Sequence, residues 1–427
     1  MLIVFLFLFP LFFLLSGSVF NSNELVYISN GNIFLTPIPL ACIFSLLGII
    51  YLLKAGKNYI AIGIFYSFFV LMLLSIVITN TSNDQLKINK FVLLIQFIYP
   101  FLGLIFGFLY IRPRSIFFGF ETLCLFIITL IIPLQIFSSF LHGFNFLSPN
   151  IFLFSIYQHL DQIPLIFISM YFIALGALYK IKILKSIILI FAPIIGAYLA
   201  FSFTYFSFIL FLYLSALSIF IFYKNNFFKY LLTCLTLILF SFSFCYSFIY
   251  KGAKPISIEN EIVKQDVQRD KINNENFKKF LIVNNITIEK KFNIIFFQWK
   301  THLRGIFENP KSLLFGHSAR LDRNKHPSAH NYYLDLIFNF GLLSFLPILY
   351  LICITLASII SLKQNNKITP SLALLIGVLI FYILFVCSFQ VPLRQPYTGM
   401  VIFFFWGVVL SDLSKIKEGA INHKLHE

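Results

Sequence analysis

The sequence predicts an all-α polytopic membrane protein, and three observations predict it. Only 11% of its 427 residues are charged, against about 25% in an ordinary soluble domain. Apolar runs of about 20 residues, the length that crosses a bilayer, recur along most of the chain. The mean hydropathy is correspondingly high, at +0.90. Lys and Arg are segregated between the connections in the manner of topology signals.

In chain order, the apolar windows give twelve spans: 2–20, 34–53, 58–79, 91–111, 115–138, 163–179, 186–202, 205–222, 230–250, 333–357, 370–389 and 399–412. The first window has no basic flank at its start and is long enough to span. It reads as a retained helix rather than a cleaved signal. The pair 186–202 and 205–222 is closely spaced, and the last window is short. Residues 139–162 include the apolar "NIFLFSIY", which suits a dip into the interface. The six cysteines all fall inside apolar runs, so they read as packing residues rather than as a disulfide or metal framework.

Basic residues set the orientation. Connections on the same side as both termini, with the C-terminal tail, hold 14 Lys and Arg; the short connections opposite hold only Lys87, Lys90 and Arg394. Both termini are therefore expected in the cytoplasm. The other 15 basic residues lie in 251–332, a long loop that must face outward. Long loops translocate largely regardless of charge. The chain thus divides into spans 1–9 over residues 1–250, the loop 251–332, and spans 10–12 with a short tail over 333–427.

The loop carries 15 basic and 8 acidic residues. The surplus fits either a solvated surface beside the membrane or a site for an anionic ligand. Nucleic acid is a poor partner, since nothing resembles a nucleic-acid module and the loop faces away from the cytoplasm. Near residues 290–306, Phe292, Phe296, Trp299, Leu303 and Ile306 recur at steps of four and three, which predicts an amphipathic helix. Two placements stand for it: along the outer membrane interface, with Trp299 as anchor, or packed on the bundle. A turn-rich link then brings Arg320, Arg323, His317, His326 and His330 to the mouth of the tenth span. Clustered cations there suit a phosphate. The histidine spacings match no standard metal pattern, and no metal is expected.

His330, Asn331 and Gly341 set out His-Asn, nine residues, Gly at the start of a membrane helix directly after the largest outer loop. With the twelve-span topology this resembles the O-antigen ligase and O-antigen polymerase superfamily of bacterial envelope glycan assembly. "LLFGHS" at 313–318 is similar to the Gly-containing turn that members place before that motif. At residue level the likeness is confined to about 313–345.

The resemblance implies a multi-pass protein of the bacterial inner membrane. It implies a glycosyltransferase that moves a glycan from undecaprenyl diphosphate to a sugar hydroxyl at the periplasmic face. The anomeric carbon is inverted, the lipid diphosphate leaves, and neither metal nor cofactor is needed. The partners implied are the lipid-linked donor, a glycan or lipid-glycan acceptor, and membrane lipids.

His330 is then the candidate base or diphosphate ligand, because a neutral imidazole can take the proton of an attacking hydroxyl. Arg304, Arg320, Arg323 and Arg394 form the pool for diphosphate binding. Arg394, in the short link "VPLRQPYTG", also reads as a snorkelling interface residue. Asp335 and Asn339 share a helix face four residues apart, and with Asn331 they join the candidate site. An ionisable group inside a span is expensive and usually faces a wet cavity or the bundle interior. Asp335 therefore pairs with an outer arginine, orients a substrate hydroxyl, or simply meets the helix dipole. Glu121 reads as a partner of Arg112 or Arg114.

One departure from the pattern stands out. Members carry an arginine at the outer end of spans seven and eight, where this chain reads "YLAFSFTYFSF". Ligases rely on that arginine, which favours polymerase over ligase. The competing expectations are a lipid-linked oligosaccharide flippase, which needs polar groups in both halves and often an internal repeat, and a non-catalytic scaffold.

Overall fold

The computed structural model describes residues 60–79, 84–110, 119–133, 162–202, 204–252, 288–317, 329–363 and 368–425. The windows at 2–20 and 34–53, the interfacial segment 139–162, most of the loop before residue 288, and Arg112, Arg114, Arg320, Arg323 and His326 lie outside the described residues. Glu121 is described, but its expected partners are not.

The described chain is helical, with no strand among the described residues. The helices are α1 (Ile60–Ile78), α2 (Asp84–Phe108), α3 (Phe120–Phe126, continued by a π-helical turn, Ile127–Ile131), α4 (Ile163–Ala177) and α5 (Lys182–Phe201). Then come α6 (Tyr205–Phe222), α7 (Phe227–Gly252), α8 (Ile288–Ile306), α9 (Pro310–Phe315) and α10 (Tyr332–Lys363). Last are α11 (Pro370–Ile380, continued through a π-helical turn to Phe389) and α12 (Pro396–Leu425). Among the described residues, seven helices are long and apolar enough to cross a membrane, and three further apolar stretches, Leu93–Phe108, Phe120–Leu130 and Pro164–Ala177, are shorter. This is an all-α, multi-pass membrane protein. The described residues of the apolar windows from 58–79 to 399–412 fall mainly in these helices.

Several ends are fixed by local chemistry. Thr204 caps α6 by accepting from the Ser207 amide at 3.1 Å, and Ser207 returns a bond to the Thr204 amide. Thr369 caps α11, with Pro370 at its first position.

Lipid is as apolar as a leucine side chain, so helices in a membrane associate through close packing and interhelical hydrogen bonds. The tightest seam joins α2 and α12. A Cβ on Gly103 would lie 2.2 Å from the Met400 carbonyl oxygen, and one on Gly107 would lie 2.0 Å from that of Phe404. From the other side, a Cβ on Gly407 would lie 2.1 Å from the Leu104 oxygen. Gly103 and Gly107 are spaced as a small-xxx-small pair, and the residue numbers rise together, so the helices run parallel. The same logic pairs α5 with α7, where Gly196 abuts Ile238 and Lys185 reaches the Phe227 ring. Between α12 and α10, Trp406 Nε1 donates to Thr355 Oγ1 at 2.7 Å.

One end of the bundle gathers the polar residues. Ser75 of α1, Lys90 of α2, the start of α10, the end of α11 and the start of α12 meet there, with α8 and α9 packed against them. This is the site end of the bundle.

The tenth span departs from the expected single helix. Gly341 has φ +83°, a conformation favoured only by glycine, so α10 consists of a short first segment, Tyr332–Phe340, and a long second one. The break is occupied by the turn after α9. Gly316, also at positive φ, lies so close that a Cβ there would be 2.5 Å from the Asn339 carbonyl carbon. A Cβ on Gly341 would in turn lie 2.1 Å from the Leu314 oxygen.

Candidate functional site

The site is built on the first segment of α10. Asn331 is its N-cap: Oδ1 accepts from the amides of Tyr333 and Leu334, each at 3.0 Å. Its backbone oxygen accepts from the Asp335 amide at 2.9 Å. The asparagine of the His-Asn pair thus has a structural task that its sequence pattern alone does not reveal. His330, directly before the cap, is half-buried and has φ +47°. It is the one non-glycine residue at positive φ among the described residues. Such a backbone costs of order 1–3 kcal/mol and persists where its surroundings hold it.

One turn into α10, Asp335 is buried and ion-paired with Arg394 across the link between α11 and α12. Of the roles expected for Asp335, the arginine pair is seen, and its place in the first turn of α10 also sets it at the positive end of the helix dipole. Each carboxylate oxygen is engaged: Oδ2 accepts from Arg394 Nη1, and Oδ1 accepts from Asn339 Nδ2 at 3.3 Å. Asn339 also donates to the Asp335 backbone oxygen at 2.6 Å. Asn339, Asp335 and Arg394 therefore form one hydrogen-bonded row. Arg394 ends a 3₁₀ turn, Pro392–Arg394, whose Pro392 and Leu393 are buried. That anchoring fixes the base of its side chain. A guanidinium has five N–H donors, and the pair with Asp335 employs one Nη.

Around this row lie polar atoms that the sequence reading did not single out. Tyr332 Oη, Gln390 Oε1 and Gln395 Oε1 are buried and have no hydrogen-bond partner among the described residues. The Tyr332 hydroxyl lies within electrostatic reach of both Asp335 and Arg394. Each of these residues sits inside or beside an apolar run, where one uncharged polar residue carries no spacing signal.

Lys90 is the other addition. It precedes the apolar stretch of α2 and is buried. Its ammonium donates to Thr79 Oγ1 and, at 3.1 Å, to the His317 carbonyl oxygen, and it lies 5.7 Å from the Phe340 ring centroid. Burial pulls its pKa down to about 8. Lys90 thereby ties the turn after α9 to the α10 break, together with the Ser75 hydroxyl, which donates to the Phe315 oxygen, and the His317 amide, which donates to the Phe338 oxygen at 2.8 Å. In the sequence it counted only as one of three sparse cations on its side. A partner 227 residues away gives no local signal.

His317 is committed to structure. Its Nε2 lies 3.0 Å from the Gly305 oxygen and 2.9 Å from Glu308 Oε2, and its ring stacks on Phe338 at 4.9 Å. Arg304 is exposed on α8, apart from the Asp335–Arg394 row. Among the described residues, no three His, Cys, Asp or Glu side chains converge to hold a metal ion. Of the candidate residues, the structure brings together Asp335, Asn339 and Arg394, with Asn331 and His330 at the same helix start.

The α8 helix forms as its periodicity predicts, but it presents a different face to the bundle. Gln298, His302 and Ile306 are buried, whereas Phe296 and Leu303 of the apolar stripe are exposed. The reason is local. His302 meets Phe338 edge-on at 4.9 Å, and Gly305 lies against the same ring, so the close approach occurs along that side.

Comparison of the chain with models of known protein families, with curated proteins and with solved structures yields no match.

Proposed function

We propose that the protein is a membrane glycosyltransferase of the O-antigen polymerase and ligase kind, acting at the periplasmic face on a glycan carried by undecaprenyl diphosphate. The observation that carries this reading is the juxtaposition at the start of α10. A half-buried histidine in a constrained turn precedes a helix whose first turn holds a half-buried arginine in place through Asp335, which Asn339 in turn engages.

In this reading, His330 accepts the proton of the acceptor hydroxyl as its oxygen attacks the anomeric carbon. The bond from that carbon to the diphosphate oxygen breaks on the opposite face, inverting the centre. The electron pair leaves with the lipid diphosphate. Arg394 stabilises the gathering negative charge, an effect largest where water is excluded. Asp335 acts as a positioning residue for Arg394 rather than as a second base, because both its oxygens are engaged. The absent arginine near spans seven and eight leans the reading toward polymerase.

A flippase is the alternative, and the broken α10 favours it, since broken helices build transporter sites. Against it, the break is filled by the chain's own turn, with Leu314 and Gly316 packed on Gly341 and Asn339. Complementation of a null strain, read as a glycan ladder, tests the proposal. His330→Ala and Arg394→Ala should remove the high-weight bands and leave single repeat units on the lipid core. A ligase would instead accumulate polymer on undecaprenyl diphosphate. An unchanged ladder in both variants would sink the catalytic reading.

A further inference from the structure

We infer that the outward face of α8 is a membrane-docking surface, with Phe296, Leu303 and Phe307 seated in the apolar edge of the leaflet at the site end and Lys300 and Arg304 against lipid phosphates. This stands apart from the reaction proposed above.

The first argument is inverted burial. The side of α8 turned to the protein carries Gln298 at 6% and His302 at 3% exposure, whereas Phe296, Leu303 and Phe307 stand 53%, 39% and 69% exposed. A helix whose free face meets water shows the reverse, polar outside and apolar inside. At 3.6 residues per turn, Phe296, Leu303 and Phe307 fall within about 40° of arc, about 120° round the helix from the centre of the buried face, and Lys300 and Arg304 follow directly beside them. An apolar stripe flanked by cations is the pattern of a helix lying in a lipid interface.

The second argument is height. Trp299 packs on Phe389 with ring centroids 5.7 Å apart, and Phe389 is the last residue of an apolar span. His302 and Gly305 touch Phe338, in the first segment of another span. The helix therefore lies across the ends of two spans, where hydrocarbon gives way to headgroups.

The third argument is continuity. Leu314 of α9 is exposed, and its carbonyl packs on Gly341, after which Leu342 and Leu346 are exposed along α10. The free apolar surface of a spanning helix thus reaches α9 at Leu314, and the exposed Glu308, Asn309 and Lys311 lie between it and Phe307 in the chain.

The test uses the full chain in nanodiscs. Phe307→Trp is placed on a Trp299→Phe background, and the emission of Trp406, which is fully buried, is subtracted from a matched control. The proposal expects blue-shifted emission, quenched by lipids brominated near the headgroup end of the acyl chain and shielded from aqueous acrylamide. Phe296→Trp on the same background should behave alike, while Lys311→Trp, on α9 beyond the stripe, should be quenched less by lipid. Emission from residue 307 that acrylamide quenches and brominated lipid does not would overturn the proposal. So would blue-shifted emission insensitive to both quenchers in discs holding two chains, which would assign the face to a second copy.

Discussion

Replacing Lys90 with Met separates what this residue contributes to stability from what it contributes to geometry. The amine is drawn from its ordinary 10.5 down to about 8 in the folded chain. Each pKa step of one is about 1.4 kcal/mol, so the buried charge costs the folded state about 3 kcal/mol at neutral pH. The sign follows from proton counting. Between about 8 and 10.5 the unfolded chain holds more protons on this group than the folded one, so stability rises with pH through that window and the full penalty applies below it. Lys90→Met removes the penalty. It also deprives the His317 oxygen of its donor, a loss of about 1–3 kcal/mol. Thr79 Oγ1 keeps its own bond to the Ser75 oxygen. The first term equals or exceeds the second, so the variant should be between as stable as the parent and about 2 kcal/mol more stable at pH 7. Its stability should also lose the rise between pH 8 and 10. Thermal unfolding of purified protein at pH 7 and at pH 9.5 reads both. The glycan ladder should nevertheless weaken, because the turn at His317 loses one of its ties to the α10 break and keeps only those through Ser75 and its own amide. A variant that loses well over 3 kcal/mol at pH 7, or that keeps the parent's pH slope, would refute the reasoning.

The remaining predictions concern the site end. Arg394→Met alone leaves the Asp335 carboxylate buried without its cation, and should destabilise by about 3–5 kcal/mol; adding Asp335→Leu should restore much of the melting temperature but no activity. Gly341→Ala forces a Cβ toward the Leu314 oxygen at a positive φ, so membrane-inserted protein recovered from cells should fall sharply. Asn331→Ala removes the α10 cap and should lower stability by about 1 kcal/mol, whereas Asn331→Asp, which keeps the capping oxygen, should melt close to the parent.

Sequence patterning read the spanning helices well because hydropathy over 18 or more residues is a strong, local signal. The described residues of the windows from 58–79 to 399–412 are mainly helical. The pairing of Asp335 with an arginine was legible for a related reason: a carboxylate within a span needs a partner, and the cations at that end are few. Other features depended on contacts between distant segments. The break at Gly341 follows from the approach of Gly316, and nothing in "FNFGLL" distinguishes a break from an ordinary helical glycine. The buried face of α8 is set by one aromatic ring, Phe338, which outweighs the periodicity of its own apolar stripe. The cap at Asn331 carries a local signal, since an asparagine directly before a helix is itself a capping residue.

The glycine seam between α2 and α12 has a bearing on how the bundle comes into being. Its two halves are synthesised far apart in time, so α2 enters the membrane well before the helix that fills its groove. Until α12 arrives, the backbone exposed at Gly103 and Gly107 faces lipid tails, which fit a narrow groove poorly. Insertion of α12 then brings Met400 and Phe404 into that groove and draws the early and late parts of the chain together. The link carrying Arg394 leads directly into α12, and Gly399, near its start, packs on the Leu393 oxygen. Seating of the arginine beside Asp335 is thus coupled to closure of the bundle, and a chain stalled before that step lacks the cation at the mouth of α10.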